Sequence, residues 1–492
     1  MELLNRKISG YTTHPIKVVQ FGEGNFLRAF VDYMIDLANE KCGFDGSVAL
    51  VKPIGFGSLD MFHEQECQYT LRLQGKVDNK EYVETRIITS CEKAVSPFDD
   101  YEEYISLAKL DSVRFVVSNT TEAGIQFNEN DKADEKLDIT FPGKLTQFLK
   151  VRYDYFKGDM SKGLVMLPVE LIDDNGIALK RCVKEYIKLW NLGSDFEKWI
   201  DEACIFTSTL VDRIVTGFPR NEQDKLCEEF GYRDNLIDTA EPFALWVIES
   251  EKDISKEFPV DKALEGKSGM NVIFTDNQKP YKQRKVRILN GAHTSFVLAS
   301  YLNGENIVLE SMKNPLIKKY MQDTLYKEVI PTLTLPEKDL MDFATAVTDR
   351  FENPFIRHQL LSISLNSVSK WRTRCMPSLL GYVERYNKLP QHLTFSLAAL
   401  MAFYSSNKLE GDVLVGDRNG ESYSIKDDME VLEFFKENSV KDTKEFVHNF
   451  LSNIHFFGQD LTEVKDLEAE VVKYLDDIRK YGMHDTLVNY FG

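Results

Sequence analysis

The chain has little with which to cross a membrane, hold a metal cluster or cross-link itself. Across its 492 residues no uninterrupted apolar run approaches the roughly 18 residues that a membrane helix needs. The seven cysteines, Cys42, Cys67, Cys91, Cys182, Cys204, Cys227 and Cys375, are scattered, odd in number and free of CxxC spacing. That argues against a disulfide framework or a thiolate metal site and points to the reduced thiols of a cytoplasmic protein. The eight histidines are dispersed, and His448 and His455 lack the i,i+4 spacing of a helical metal pair, so no metal is expected. An excess of positive charge is missing too. Against 78 acidic residues stand 60 Lys and Arg, a net charge of -18, and no basic stripe offers itself to nucleic acid. The opening segment MELLNRKISGYTTHP has no apolar stretch of signal-peptide length. Neither internal repeats nor low-complexity tracts occur.

What remains is a globular composition, 43% hydrophobic and 28% charged, in a chain too long for one ordinary core. The first half reads as α/β. Ile16–Phe21, Ser47–Val51, Arg114–Ser118 and Gly163–Leu167 are continuous apolar runs of the kind a sheet buries on both faces. Between the first two, Phe26, Phe30, Val31, Met34, Ile35 and Ala38 recur at helical spacing, and Gly43 follows as a stop. Strand, helix, strand in that order predicts a parallel sheet with right-handed crossovers. From about Lys285 helical runs dominate: Thr294–Leu302, Pro315–Val329, His358–Val368, Leu393–Tyr404 and Leu461–Tyr481. The expected organisation is a Rossmann-like domain over residues 1–280 and a mainly α-helical substrate domain over 281–492, divided near the polar segment DNQKPYKQR.

The first strand, with Val18, Val19, Gln20 and Phe21, runs straight into Gly22, Glu23 and Gly24 and then into a helix that opens with Asn25, Phe26, Leu27, Arg28 and Ala29. This is where a dinucleotide fold places its phosphate loop. Gly22 permits the tight turn, Gly24 lets backbone approach a pyrophosphate, and the helix start aims free N–H groups at the anion. Arg28 can reach a phosphate or make an ion pair. Two features depart from the usual pattern. Leu27 occupies the place of the third glycine, and the second strand ends in Lys52 where NAD-type folds usually offer an acid. A plain turn is the competing interpretation.

The second motif is KVRILNGAH, Lys285 to His293. From Asn277 to Gly304 there is no Asp or Glu, yet Lys279, Lys282, Arg284, Lys285 and Arg287 all fall there. On a helix turning about 100° per residue, Asn290 and His293 lie about 60° apart, with Lys285 about 80° from His293. An ammonium, an amide and an imidazole then converge, which suits proton transfer and charge stabilisation at a carbonyl or carbinol oxygen. A helix start with a capping amide and a solvated basic face would give the same letters.

Together these motifs resemble the mannitol dehydrogenase family of long-chain polyol and sugar-acid dehydrogenases. Lys285, Asn290 and His293 meet its K-x4-N-x2-H signature, and Gly22, Gly24, Phe26 and Arg28 meet its GxGxFxR loop. The blocks SNTTEAGI (118–125), STLVDRIVTGFPR (208–220) and RFENPFIRHQLLSISLN (350–366) extend the likeness over nearly the whole chain, toward the sugar-acid branch. The resemblance implies NAD as cofactor and a small sugar acid as substrate, with D-tagaturonate and D-altronate interconverted. It implies Lys285 as general acid and base, Asn290 as support for the oxygen's developing charge, and His293 as a polarising or orienting group. Partial burial and the neighbouring Arg284 and Arg287 are expected to draw Lys285 below its ordinary value. Where mannitol-type members carry a sugar-contacting Asn, this chain has Leu171, and only Asn175-Gly176 of that segment persists. A uronate needs a cationic anchor, and the basic window from Arg350 to Cys375 offers Arg357 and Lys370 as the expected pair. A different sugar acid such as fructuronate, or a non-catalytic nucleotide sensor or scaffold, stays open. Lys52 leaves room for NADP, while the resemblance points to NAD.

Overall fold

The four apolar runs of the first half become strands because each side of the sheet they form is roofed by its own core. The structure, a computed structural model, describes residues 1–121 and 123–492. Glu122, within SNTTEAGI, lies outside the described residues. Two compact units divide the chain, Met1–Gln278 and Lys279–Gly492.

In the first unit six strands, β1 (Ile16–Phe21), β2 (Ser47–Val51), β3 (Cys91–Val95), β4 (Phe115–Ser118), β5 (Val165–Pro168) and β6 (Ile205–Phe206), pair in parallel. Their spatial order is β3-β2-β1-β4-β5-β6, the arrangement of a doubly wound dinucleotide fold, with its switch point between β1 and β4. Side chains alternate between two cores. Val18, Val48, Leu50, Phe115, Val117 and Val165 enter one, while Val19, Phe21, Ala49, Val51, Val116 and Met166 enter the other. The helix after β1 runs from Asn25 to Cys42 and stops at Gly43, which takes φ +62°.

Two smaller sheets of this unit carried no sequence signal of comparable strength. One pairs Tyr69–Val77 with Lys80–Ile88 and Asp238–Ala240, and the other sets Ala244–Glu249 between Ser208–Asp212 and Met270–Thr275.

The second unit is mainly helical, with one small sheet over Leu409–Ile425. Gly291–Asn303 and Gln391–Tyr404 are buried helices. The helix expected over His358–Val368 is instead two pieces, Leu360–Ile363 and Ser367–Arg374. They are broken at Asn366, whose φ of +54° is left-handed. Leu467–Phe491 kinks at Gly482. All seven cysteines are free. Among the described residues no helix is long and apolar enough to cross a membrane, and no group of acids, histidines and thiols is arranged to hold a metal.

Candidate active site

At the carboxyl end of β1 the chain turns sharply. Gly22 takes φ +132°, and a Cβ there would meet Leu27 Cδ1 at 3.0 Å and Asn119 O at 3.4 Å, so only glycine fits without strain. Its N–H donates to Val51 O (2.9 Å) and its carbonyl accepts from Gln20 Nε2 (3.1 Å), which ties the turn to both flanking strands. Gly24 differs. It has an ordinary φ of -69°, is exposed, and a Cβ there would meet no protein atom within 4 Å. It is the N-cap residue of the following helix and brings no side-chain cap, so the first N–H groups of that helix are left for an anion. This cradle fits the pyrophosphate of a dinucleotide.

The remaining residues of the motif are architecture. Val18, Val19, Phe21, Leu27 and Ala29 are buried in the cores, and Phe26 stacks on Phe30 at 5.0 Å. Arg28 is buried. Its guanidinium donates to Leu236 O (2.7 Å) and to Asn25 Oδ1, and lies 5.1 Å from the Tyr69 ring centre. It fixes Asn25 at the helix start, and Asn25 and Gly24 are the exposed members of the loop. Glu23 is half-buried. Burial pushes its carboxyl upward, opposed by Lys52 and Arg28. Lys52, at the end of β2, donates its ammonium to Gly57 O.

From Arg28 to Asp32 this helix is π-helical. Tyr69 Oη donates to the Arg28 carbonyl (2.9 Å) and Arg213 to that of Ala29 (2.7 Å), so outside donors take up carbonyls in the widened turn.

The second unit repeats the device. Lys285–Asn290 is also π-helical, and the Gly291 N–H bonds back to Val286 O, five residues earlier. On an α-helix residues five apart point about 140° away from one another, whereas i→i+5 bonding brings them close to one turn apart. Lys285 and Asn290 therefore share a face, a convergence that 100° per residue understates. Both are half-buried, and the Asn290 amide makes no hydrogen bond among the described residues. Gly291 explains the bulge's surroundings. A Cβ there would stand 3.3 Å from Arg374 O, and Cys375 Sγ approaches Gly291 O at 3.7 Å, so the end of the Ser367–Arg374 helix lies directly against the start of the Gly291–Asn303 helix.

His293 sits one turn further on, its ring 4.2 Å from Phe351 and 5.5 Å from His358, centre to centre. Its Nε2 is buried without a hydrogen-bond partner, an arrangement that is costly unless a ligand completes it. Burial first, then the positive field of His358, Arg350, Arg374 and Lys370, holds this imidazole well below its ordinary value. It is neutral at physiological pH and can exchange a hydrogen bond with a substrate oxygen, but it does not serve as a standing acid. The Lys370 ammonium donates to Ile363 O (3.0 Å) and is drawn downward by burial and by Arg374. Arg357 is exposed on the turn before Leu360. Arg284 is stacked on Phe343 (4.5 Å) and Tyr281 (5.4 Å), and Arg287 is bonded to Ser378 and Thr332.

Of the two expected anchors, Lys370 is among the groups whose charge reaches His293, together with His358, Arg350 and Arg374, and Arg357 is not. The sequence signal that could have found Arg374 is its i,i+4 spacing from Lys370, which sets two cations side by side on one helix. Leu171 is 63% exposed. Asn175 has a scaffold role. Its amide donates to the carbonyls of Pro168, Glu170 and Thr209, and it accepts from Thr209 N–H at 2.8 Å. Glu170 accepts from Ser118 Oγ (3.1 Å) and from Thr120 N–H and Oγ1 (both 3.0 Å), which fastens the loop after β4.

A parallel sheet in this order, with a glycine turn and an uncapped helix at its switch point, defines a Rossmann-type dinucleotide-binding unit. Residues 16–262 match the family description "Mannitol dehydrogenase Rossmann domain", and residues 277–479 match "Mannitol dehydrogenase C-terminal domain". The chain belongs to the mannitol dehydrogenase family of oxidoreductases. It is 43% identical to an altronate oxidoreductase of Yersinia enterocolitica and 44% identical to one of Pectobacterium atrosepticum, each match covering 100% of both chains. Its fold is like that of a D-sorbitol dehydrogenase solved in substrate-free form (TM-score 0.80, 20% identity, 99% of this chain and 100% of that one). It is also like that of Pseudomonas fluorescens mannitol 2-dehydrogenase, solved with NAD and D-mannitol (TM-score 0.63, 22% identity, 99% of each).

Proposed function

We propose that this chain is an NAD-dependent oxidoreductase that interconverts D-tagaturonate and D-altronate. The observation that carries this is a lysine and an amide brought onto one face by a π turn, followed by a neutral imidazole whose Nε2 has no protein partner. The family and the full-length likeness to altronate oxidoreductases support the substrate.

The glycine turn would hold the cofactor's pyrophosphate, with Gly22 shaping the loop and the N–H groups beyond Gly24 meeting the phosphates. Glu23, with Lys52 already committed to Gly57 O, favours NAD over a cofactor bearing a further phosphate. Bound NAD supplies the acceptor, or as NADH the donor, of hydride. Lys285 gives a proton to the carbonyl oxygen on reduction and removes it from the carbinol on oxidation. Asn290 donates to the same oxygen as it gains charge, and His293 Nε2 meets a substrate hydroxyl or that oxygen. The positive bay that includes Lys370 suits an anionic sugar, and the exposed Leu171 offers no amide to a neutral polyol. The bay leaves the choice among sugar acids open, so the test is a spectrophotometric screen of NADH and NADPH against tagaturonate, fructuronate and fructose. NADH oxidation with tagaturonate in clear preference to the other five pairings is the expected result. Preference for fructose, or no oxidation with any pairing, would overturn the proposal.

A further inference from the structure

The cations of the second unit divide into two kinds. Most are held by protein. Arg284 lies over Phe343, Arg287 bonds Ser378 and Thr332, Arg372 packs on Gly458, and Arg418 donates to the carbonyls of Tyr301 and Glu305. Arg374, although half-buried, is held far less. Its guanidinium makes one long bond, 3.4 Å to Thr294 Oγ1, and no carboxylate of the described residues pairs with it. Lys370, one turn earlier on the same helix, likewise has no carboxylate bonded to its ammonium. Asp427, the acid whose charge it feels, is engaged by Tyr404 Oη at 2.7 Å.

We propose that Arg374, assisted by Lys370, is the group that recognises the carboxylate of the sugar-acid substrate, and that it does so beside His293. This rests on the dehydrogenase assignment above and adds the residue that selects an acid over a neutral ketose.

Three features support it. First, position. The Arg374 backbone is pressed against Gly291, where a Cβ would come within 3.3 Å of its carbonyl, so the arginine is fixed relative to the helix that carries Asn290 and His293. Thr294, the residue after His293, orients the guanidinium from the same helix.

Second, charge. Two like charges on adjacent turns repel, and Lys370 is lowered by Arg374 as well as by burial. Asp427, whose charge Lys370 feels, is engaged by Tyr404 Oη, and among the described residues no carboxylate bonds either cation. An arriving carboxylate relieves that repulsion, and a neutral sugar does not.

Third, shape. The guanidinium offers a planar fork matched to a carboxylate, with most of its donors unused. Arg357, the arginine expected for this role, is exposed and has no comparable fixing contact among the described residues.

The experiment is calorimetric titration of altronate into the full-length protein without cofactor, for wild type, Arg374→Met, Arg374→Lys and Arg357→Gln. It is paired with steady-state reduction of tagaturonate and of its neutral counterpart, tagatose. Loss of a charge-assisted bidentate contact predicts altronate binding weaker by about 10²-fold in Arg374→Met. Arg374→Lys, which keeps the charge and loses the fork, should fall between, and Arg357→Gln should change binding far less. KM for tagaturonate rises far more in Arg374→Met than KM for tagatose does. Equal loss on acid and neutral ketose, or altronate binding that survives Arg374→Met, overturns the assignment. Should Arg374→Met not fold, a wild-type affinity in Arg374→Lys overturns it as well. Altronate binding that depends on Arg374 in a protein that oxidises no NADH would uphold this inference while defeating the proposed reaction.

Discussion

Each unit carries a π-helical turn at its motif, but the two turns are used differently. At Arg28–Asp32 the buried charges face one another, although Arg28 Nε, Asp32 Oδ1 and Asp238 Oδ2 have no hydrogen-bond partner among the described residues. Arg28 lies against the aromatic face of Tyr69 and feels Asp32 and Asp238, while the backbone carbonyls are taken by Tyr69 and Arg213. Around Lys285–Asn290, Arg287 is bonded to Ser378 and Thr332, but other polar groups are left open. The Asn290 amide makes no bond among the described residues, His293 Nε2 has no partner, and Arg374 has one long one. The first turn shapes a loop for a ligand that meets backbone. The second presents side chains to a ligand that must react. Opposite charges buried against one another hold a fold together, whereas like charges gathered beside a neutral imidazole suit an anionic ligand.

The sharpest way to break this comparison is Lys285→Met. Removing the proton donor and acceptor should lower kcat by about 10²–10⁴-fold, leave NADH affinity by fluorescence titration unchanged, and abolish the pH–rate limb that depends on the lysine. If NADH binding falls as far as turnover does, the residue is structural and the contrast between the two turns fails.

A second pair of variants separates shape from ligand contact within the glycine turn. Gly22→Ala forces a side chain into φ +132° and against Leu27, at a stability cost of about 1–3 kcal/mol, and should lower Tm and NADH affinity together. Gly24→Ala has an ordinary φ and open space, so Tm should hold while NADH affinity falls. Retained affinity in Gly24→Ala would show that no phosphate passes over that residue.

The sheet was legible because a strand buried on both faces must be apolar throughout. Ile16–Phe21 and Ser47–Val51 are where the pattern put them, and β4 and β5 begin one and two residues later than expected. Met270–Thr275 escaped notice because most of its residues are only half-buried and it carries no clear alternation. The break at Asn366 was hidden because a left-handed asparagine inside an apolar helical pattern leaves no periodic trace. Lys285, Asn290 and His293 were proposed from the sequence through the K-x4-N-x2-H resemblance. Their mutual angle could not be read from it, because a π turn depends on tertiary contacts such as that of Gly291 with Arg374. Arg28 was expected to face a phosphate or an ion-pair partner, and the structure lays it against Tyr69. Arginine is as suited to an aromatic face as to an anion, and sequence does not choose between them.

The smallest effect tests how charge is held at the first turn. Asp32 is fully buried; Oδ2 accepts from Tyr69 Oη (3.2 Å) and Gln20 Nε2 (3.4 Å), while Oδ1 has no partner. Burial raises its carboxyl to about 7, against hydrogen bonds from Cys91, Tyr69 and Gln20 and the charge of Arg28. Asp238, also facing Arg28, is raised to about 6. In the unfolded chain Asp32 would ionise near pH 4, so folding holds a proton on it between about pH 4 and 7. The destabilisation this causes is absent below the lower value, grows as pH rises, and is complete above the higher one. Asp32→Asn does not ionise and escapes it. The unfolding free energy of the variant minus that of wild type should therefore increase from pH 5 to pH 8, by an amount on the order of a few kcal/mol at most, with Tm moving in the same direction and turnover nearly unchanged. A difference that stays flat with pH would mean that Asp32 keeps its charge when buried, stabilised by Arg28. The first turn would then hold a true ion pair, and its contrast with Arg374 and Lys370, which bond no carboxylate among the described residues, would be greater still.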